Sequence, residues 1–199
     1  MITLRIAKEM DVKFLEECIE RHHELNDHYL TPSEWSQIAF GHEDVSLHTL
    51  KLYLNPRWPE QDLIIVNYAN KDIGFFSQDI DMQNMILGAS CYTHPRACKM
   101  SILKVVKACV IRGLLYGEKN QFEAFEFNTA NGLITSIVEA LVPLDKTVRF
   151  DEHYRVSYTK FENATKYLKE HDFLGWLKTN MDFNLYDEKE ILFTFKDRK

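Results

Sequence analysis

Three apolar stretches separated by short polar turns occupy residues 63–93, and this pattern limits the possible folds more than any other part of the chain. The stretches are LIIVNYA (63–69), IGFFSQDID (73–81) and MILGASCYT (85–93). Runs of this length, rich in β-branched and aromatic residues, are typical of strands. Turns this short join strands that lie side by side in opposite directions. The sequence therefore predicts an antiparallel three-stranded meander.

Helical and strand patterns flank the meander. ITLRIA (2–7) is a predicted strand, and Asp11 stands where it can cap the helix that follows. Two short helices then begin near Ser33 and Ser46. Asn70, Lys71 and Asp72 form the predicted turn between the first two strands of the meander. The later predictions are a helix at 100–116 that stops at Gly117, a strand at 121–128, a helix at 128–142, a strand pair at 146–150 and 153–161, and a helix and a strand within 162–199.

Composition and charge exclude several classes of function. The chain has 199 residues, 45% of them hydrophobic, which fits one domain with an appendage. A net charge of −6 gives no basic face for nucleic acid, so no nucleic-acid partner is expected. No apolar run is long enough to span a membrane, and the first residues lack the apolar core of a secretion signal. The four cysteines lack zinc or disulfide spacing, so a cytoplasmic location is expected.

The order of these elements and their local sequences resemble the GNAT family, the Gcn5-related N-acetyltransferases. The matching segments are ITLRIAKEMDVKFLEECI, LIIVNYANKDIGFFSQ with Gly74, GASCYTHPRACKMSILKVVKACV, FEAFEFNTANGLITSIVEAL and KTVRFDEHYRVSYTKF. The resemblance implies an α+β fold with a mixed, mostly antiparallel sheet flanked by helices. It covers residues 1–161, and residues 162–199 are then a C-terminal helix–strand extension. A second alignment places 121–153 as an insertion and matches YTKFENATKYLKEHDF to the fifth strand and its helix.

The family resemblance also implies where a cofactor would lie. GNAT enzymes hold acetyl-CoA between the fourth and fifth strands, with the pyrophosphate on a loop of the type Arg/Gln-x-x-Gly-x-Gly/Ala. The corresponding residues here run from Arg96 to Ser101, with Lys99 in place of the first glycine. A side chain at that position would stand where main chain should approach phosphate. The expectation is therefore a degenerate loop and no bound cofactor. The alternative is acetyl-CoA held by Tyr92, Thr93, Arg96, Lys99, Ser101 and Asn128.

No catalytic residue is assigned by the resemblance. The predicted fourth strand has no carboxylate to serve as a base, and the helix predicted at 128–142 has no tyrosine to serve as an acid. His94 and Tyr116 are other candidates for proton transfer. Asn128 either contacts the cofactor or caps the helix after it. No metal is expected, because His22 and His28 are six residues apart rather than four.

Two functions remain open at this point. The first is a GNAT-like binding or assembly protein without catalysis, of the kind found among phage and other mobile-element proteins, including virus particles. Such a protein would occupy the host cytoplasm and then the virion. The aromatic-rich extension (162–199) would contact a protein partner or a second copy of the chain, and EKEILFTFK (188–196) would add an edge strand. The second is a divergent acetyl-CoA-dependent N-acetyltransferase that acts on an unknown amine.

Overall fold

The computed structural model describes residues 2–24, 30–57, 59–81, 86–119, 124–129, 146–149, 155–160 and 181–182. Within them, the strands are β1 (Ile2–Ile6), β2 (Ile64–Tyr68), β3 (Lys71–Asp81), β4 (Ile86–Thr93), β5 (Ala124–Thr129), β6 (Lys146–Arg149), β7 (Arg155–Lys160) and β8 (Met181–Asp182). The helices are a 3-10 turn (Glu9–Asp11), α1 (Val12–Glu24), α2 (Pro32–Phe40), α3 (Leu47–Leu54) and α4 (Lys99–Lys119). None of these helices has the length and apolar character needed to cross a membrane.

All eight described strands form one sheet in the order β6-β7-β5-β4-β3-β2-β1-β8. The predicted meander is confirmed, since β2, β3 and β4 pair antiparallel in succession. Strand β5 joins β4 in parallel, which requires a crossover, and α4 supplies it. The predicted α+β class with a mixed, mostly antiparallel sheet is therefore confirmed.

Each face of the sheet is covered by different helices. Side chains alternate along a strand, so Phe75 and Phe76 point to opposite faces. Phe75 joins Leu15, Ile19 and Leu50 in the core formed with α1 and α3. On the other face, the Arg112 guanidinium of α4 lies 6.0 Å from the ring centre of Phe76. The fourth strand is thus held between α1 and α4.

Local sequence sets the starts of α2 and α3. The Thr31 hydroxyl accepts a hydrogen bond from the Glu34 N–H, and the Glu34 carboxylate accepts one from the Thr31 N–H. At the start of α3, the Ser46 hydroxyl accepts a hydrogen bond from the Thr49 N–H. These bonds satisfy N–H groups that have no partner within the helix. The predicted helix starts near Ser33 and Ser46 are both confirmed, with Thr31 as the cap of α2 and Ser46 as the cap of α3.

Three sequence predictions differ from the structure. Asp11 lies just before α1, but its carboxylate binds the Arg5 guanidinium at 2.7 and 2.9 Å and the Lys8 N–H at 2.8 Å. The β2–β3 turn consists of Ala69 and Asn70, both with positive φ, rather than of Asn70, Lys71 and Asp72. Helix α4 continues past Gly117 to Lys119. A single glycine weakens a long helix without having to end it.

Part of the C-terminal extension reaches the sheet edge. Met181 and Asp182 pair in parallel with Ile2 and Thr3 of β1. The predicted strand at 188–196 lies outside the described residues. Of the helix predicted at 128–142, Asn128 and Thr129 belong to β5, and residues 130–142 lie outside the described residues. The boundary of the extension at residue 162 and its contact with a partner stay predictions.

Candidate functional site

The central feature of the sheet is the point where β4 and β5 separate. Their parallel pairing runs from Ile86 with Ala124 to Ala89 with Phe127 and ends there. Beyond it, β4 continues to pair with β3 as far as Thr93, while β5 continues to pair with β7 as far as Thr129. Both strands thus extend past their last shared pair. The sheet opens into a gap between residues 90–93 and 128–129.

Main-chain groups of β4 point into this gap. The His94 N–H donates to the Ile73 carbonyl at 3.1 Å, which identifies these two residues as a hydrogen-bonded pair. Successive residues of an antiparallel strand direct their N–H and C=O groups to alternate edges. Cys91 and Thr93 therefore direct theirs toward β5, where the described part of β5 offers no partner. This edge can accept a strand-like ligand.

The turn after β4 leads directly to the N-terminus of α4. The Ala97 N–H donates to the His94 carbonyl at 2.8 Å and closes the turn. The Cys98 carbonyl then accepts from the N–H groups of Ser101 at 2.8 Å and Ile102 at 3.2 Å, which starts the helix. The positive end of α4 is thus placed at the mouth of the gap.

The pKa of the Cys98 thiol indicates which charge is favoured at this helix end. Its sulfur lies 3.4 Å from the Ser101 hydroxyl oxygen. The pKa of the exposed Cys98 thiol is lowered, first by this hydroxyl and next by first-turn N–H groups, including those of Ser101 and Met100. A group that loses its proton more easily here does so because the site favours negative charge. The first turn of α4 therefore favours negative charge at the Cys98 sulfur.

The face of β4 toward α1 carries an aromatic group. The Tyr92 ring stacks on Phe75 with centroids 4.7 Å apart and meets His22 of α1 edge-on at 5.2 Å. Burial lowers the pKa of His22, so its imidazole is neutral near neutral pH. On the opposite face, the Cys91 thiol contacts Cys109 of α4, and burial raises the pKa of Cys91.

His94 ties the turn to α1. Its Nε2 lies 2.8 Å from the Glu17 carboxylate, and its ring stacks on Phe14 with centroids 5.2 Å apart. The hydrogen bond from His94 lowers the pKa of Glu17. Because Nε2 is bonded to Glu17 and one face of the ring is stacked on Phe14, His94 serves as a structural link rather than as a free proton donor.

Gly74 allows the close contact of three elements at the end of β4. A Cβ atom at this position would lie 2.4 Å from the Tyr92 carbonyl oxygen and 3.0 Å from a methyl carbon of Val105 in α4. The sequence-based alignment placed this glycine at the start of the third strand, and the structure supplies its reason. Only a residue without a side chain fits between β4 and α4.

The residues predicted to hold a cofactor fall on the two sides of the gap. Tyr92 directs its ring into the core, and Thr93 is half-buried on the α4 face. Arg96 is exposed on the turn, and Ser101 is buried in the first turn of α4. Lys99 is described only by its main chain, as the first residue of α4, and Asn128 by its pairing with Val156 of β7.

Sequence reasoning missed two contributors, His94 as a link to α1 and the environment of Cys98. The family resemblance had implied the opening between the fourth and fifth strands, which the end of the β4–β5 pairing now locates. The short spacing from Cys98 to Ser101 is the one local signal, because an N-cap contact joins residues three apart. Among the described residues, no three His, Cys, Asp or Glu side chains lie together as a metal site. His28 and the side chain of Tyr116 lie outside the described residues.

No protein-family model and no curated protein matches the chain. Solved structures do match. An aminoglycoside acetyltransferase in complex with coenzyme A and kanamycin is 14% identical, with a TM-score of 0.58 over 85% of this chain and 98% of that one. The PaiA N-acetyltransferase from Thermoplasma acidophilum, in complex with coenzyme A, is 12% identical, with a TM-score of 0.54 over 80% of this chain and 99% of that one. A Salmonella typhimurium structure with acetyl-CoA is 12% identical, with a TM-score of 0.51 over 80% of this chain and 92% of that one.

These matches contradict the expectation that no cofactor is bound, because all three of these structures are complexes with acetyl-CoA or coenzyme A. The physical reason for the error lies in the weight given to Lys99. A helix N-terminus presents N–H groups whatever side chains its first turn carries, and at the start of α4 they add to the effect of the Ser101 hydroxyl in lowering the pKa of Cys98. With its separated β4 and β5 and its match to these structures, the chain has the fold of the GNAT N-acetyltransferases.

Proposed function

We propose that the protein is an acetyl-CoA-dependent N-acetyltransferase that acetylates an amine. The observation that carries this proposal is the separation of β4 and β5 beyond Ala89 and Phe127, with the N-terminus of α4 at the mouth of the gap. A sheet that simply needed stability would continue the pairing, since both strands extend further. Leaving strand edges unpaired is costly unless a ligand completes them.

The pantetheine arm of acetyl-CoA suits the open edge of β4. The arm is narrow and extended and contains two amide groups. The main-chain N–H and C=O groups of Cys91 and Thr93 are directed toward the position that it would occupy. Pairing between an extended ligand and a strand edge uses the same hydrogen bonds as a sheet. Asn128, across the gap on β5, is a further candidate contact for this arm.

The diphosphate suits the start of α4. The N–H groups of Lys99 and Met100, which precede the first main-chain hydrogen bond of α4, would favour phosphate oxygens at this helix end. Arg96 is exposed on the turn before the helix and can bind phosphate through two N–H groups. Lys99 and Ser101 complete the proposed set, with Lys99 contributing its main-chain N–H.

Acetyl transfer forms a bond between the amine nitrogen and the acetyl carbon and breaks the bond from that carbon to sulfur. The amine must lose a proton, and the departing thiolate of coenzyme A must gain one. The likeness in fold to coenzyme A-bound acetyltransferases supports the same reaction class.

Calorimetric titration with acetyl-CoA tests the first half of the proposal, and transfer of a labelled acetyl group to a panel of amines tests the second. We expect Arg96→Glu to weaken acetyl-CoA binding by about tenfold or more, because it replaces an attractive charge with a repulsive one. Arg57→Glu makes the same charge change in the exposed loop after α3 and should leave binding unchanged. No binding by the wild type at millimolar acetyl-CoA would refute the proposal.

The assembly role, including a place in a phage particle, stays a prediction from the sequence. It depends on the aromatic extension, of which the structure describes only Met181 and Asp182. Catalysis and a partner contact through residues 162–199 are compatible, because Met181 and Asp182 pair with β1, which is three strands away from β4 in the sheet.

A further inference from the structure

We propose that His94 is a positioning residue that holds the turn between β4 and α4 in the conformation needed to bind the diphosphate of coenzyme A. This inference rests on the proposed function and goes beyond it, because it assigns the rigidity of the binding turn to one side chain and its partners on α1. The turn contains Pro95, Arg96, Ala97 and Cys98. It has no glycine, so its shape has to be fixed by contacts.

The first contact joins the turn to α1. His94 Nε2 lies 2.8 Å from Glu17 Oε2, although the two residues are 77 positions apart in the chain. The His94 side chain is 12% exposed and its ring lies parallel to that of Phe14, with an interplanar angle of 3°. Helix α1 is itself fixed by the buried side chains of Leu15, Cys18 and Ile19. The imidazole is therefore held against a rigid surface.

The second contact lies within the turn. The Arg96 N–H donates to His94 Nδ1 at 3.2 Å. A main-chain N–H can only donate, so Nδ1 must carry a lone pair. The neutral ring then has its hydrogen on Nε2 and donates it to the Glu17 carboxylate. Both ring nitrogens are thus used, Nε2 for the bond to Glu17 on α1 and Nδ1 for the bond from Arg96 in the turn. These two partners set the tautomer of His94.

The main chain of His94 completes the arrangement. Its N–H donates to Ile73 of β3, and its carbonyl accepts from Ala97. Four hydrogen bonds and one ring stack therefore meet at a single residue. They determine the direction in which Arg96 leaves the turn and the position at which α4 begins. Fixing these groups before binding removes the entropy cost of ordering them when the ligand arrives.

This role predicts that loss of His94 affects some ligands and not others. If His94 acts through the turn, its loss should weaken binding of ligands that carry the diphosphate. It should not affect pantetheine, which has the amide arm without the diphosphate and would contact only the strand gap. A general loss of structure would weaken both ligands equally.

The experiment is calorimetric titration of the full chain with coenzyme A and, separately, with pantetheine. We expect His94→Ala to lower the affinity for coenzyme A by about tenfold, equivalent to about 1.4 kcal/mol, and that for pantetheine by less than about twofold. His94→Asn keeps an acceptor near the Nδ1 position and His94→Gln keeps a donor near Nε2, so each should restore part of the affinity. Thermal unfolding of each variant measures any loss of stability.

Glu17 gives a second test that leaves the His94 main chain intact. Glu17→Ala should reduce coenzyme A affinity, whereas Glu17→Gln, which can still accept from Nε2, should retain most of it. Glu20→Ala removes a carboxylate one turn further along α1 and serves as the control, with no change expected. If His94→Ala fails to fold, the Glu17 variants still test whether the contact between His94 and Glu17 positions the turn.

Three results would overturn the inference while leaving the proposed function intact. Coenzyme A binding that is unchanged in both His94→Ala and Glu17→Ala would show that the link does not position the turn. Equal loss of coenzyme A and pantetheine affinity would assign His94 a purely structural role. If wild-type protein binds pantetheine and coenzyme A with the same affinity, the turn does not contact the diphosphate. Absence of binding to either ligand would instead refute the proposed function and this inference with it.

Discussion

Replacement of Gly74 by alanine tests the packing that shapes the gap. The added Cβ would lie 2.4 Å from the Tyr92 carbonyl oxygen, whereas ordinary contacts begin at 3.4 Å. One of the two strands must therefore move by about 1 Å, the difference between these distances. Movement away from Tyr92 is restricted because Val105 of α4 would be 3.0 Å from the same atom.

The cost follows from the atoms that have to move. Overpacking in a well-packed interior typically costs about 1–3 kcal/mol, and here the obstacle is main chain rather than a flexible side chain. We expect Gly74→Ala to lower the free energy of unfolding by about 3 kcal/mol, the upper end of that range. For a chain of this size, the corresponding drop in Tm is roughly 6–12 °C. Urea unfolding and thermal unfolding followed by circular dichroism measure both quantities.

The same displacement should affect binding, because Tyr92 and Thr93 form the open stretch of β4. Gly41→Ala is the matched control. Gly41 has a φ of +75°, and a Cβ added there would meet nothing within 4 Å, so alanine at this position causes backbone strain without a clash. That strain costs about 1–2 kcal/mol and should leave acetyl-CoA affinity unchanged. If Gly74→Ala is no more destabilising than Gly41→Ala, β3, β4 and α4 do not pack as closely around Gly74 as described here.

Two further predictions concern charge. Arg5→Met removes the guanidinium that binds Asp11 and Asp72, and we expect a loss of about 2 kcal/mol near neutral pH, less than for a fully buried pair because Arg5 is partly exposed. Arg5 lowers the pKa of Asp11 below its ordinary value of 3.8, so this stabilisation is present above that pH and is lost as the pH falls below it. Urea unfolding should show the wild type and the variant converging in acid; a constant difference would contradict the assignment. Cys98 should react with iodoacetamide faster than the buried Cys18 and Cys109, and acetyl-CoA should slow that reaction, as read by mass spectrometry of the labelled peptides. Equal labelling with and without acetyl-CoA would place the ligand away from the α4 N-terminus.

Short-range patterns in the sequence were enough to predict the order of the elements. Apolar stretches separated by short polar turns predicted β2, β3 and β4, and Ser46 marked the start of α3, because each signal depends on residues that are close together in the chain. The same reasoning failed for Asp11. Its carboxylate could have capped α1, but Arg5 and the Lys8 N–H compete for it, and a charged partner forms the stronger hydrogen bond.

The site depended on contacts between residues that are far apart in the chain. The sequence suggested the segment from Tyr92 to Ser101 but interpreted Lys99 as a sign that the cofactor was lost. That interpretation treated the loop as a linear motif, whereas the proposed anion site depends on where α4 begins relative to β4. The link between His94 and Glu17 carries no local signal at all, since any histidine and any glutamate could be so paired.

By itself, the sequence determined which segments become strands and helices and the order in which they follow one another, because backbone preference and side-chain periodicity act over a few residues. Tertiary structure alone decided that β4 and β5 separate after Ala89 and Phe127, that Gly74 lies against Tyr92 and α4, and that the turn after β4 is attached to α1. Those outcomes depend on how three layers of side chains pack together, and packing is set by all of the neighbours at once.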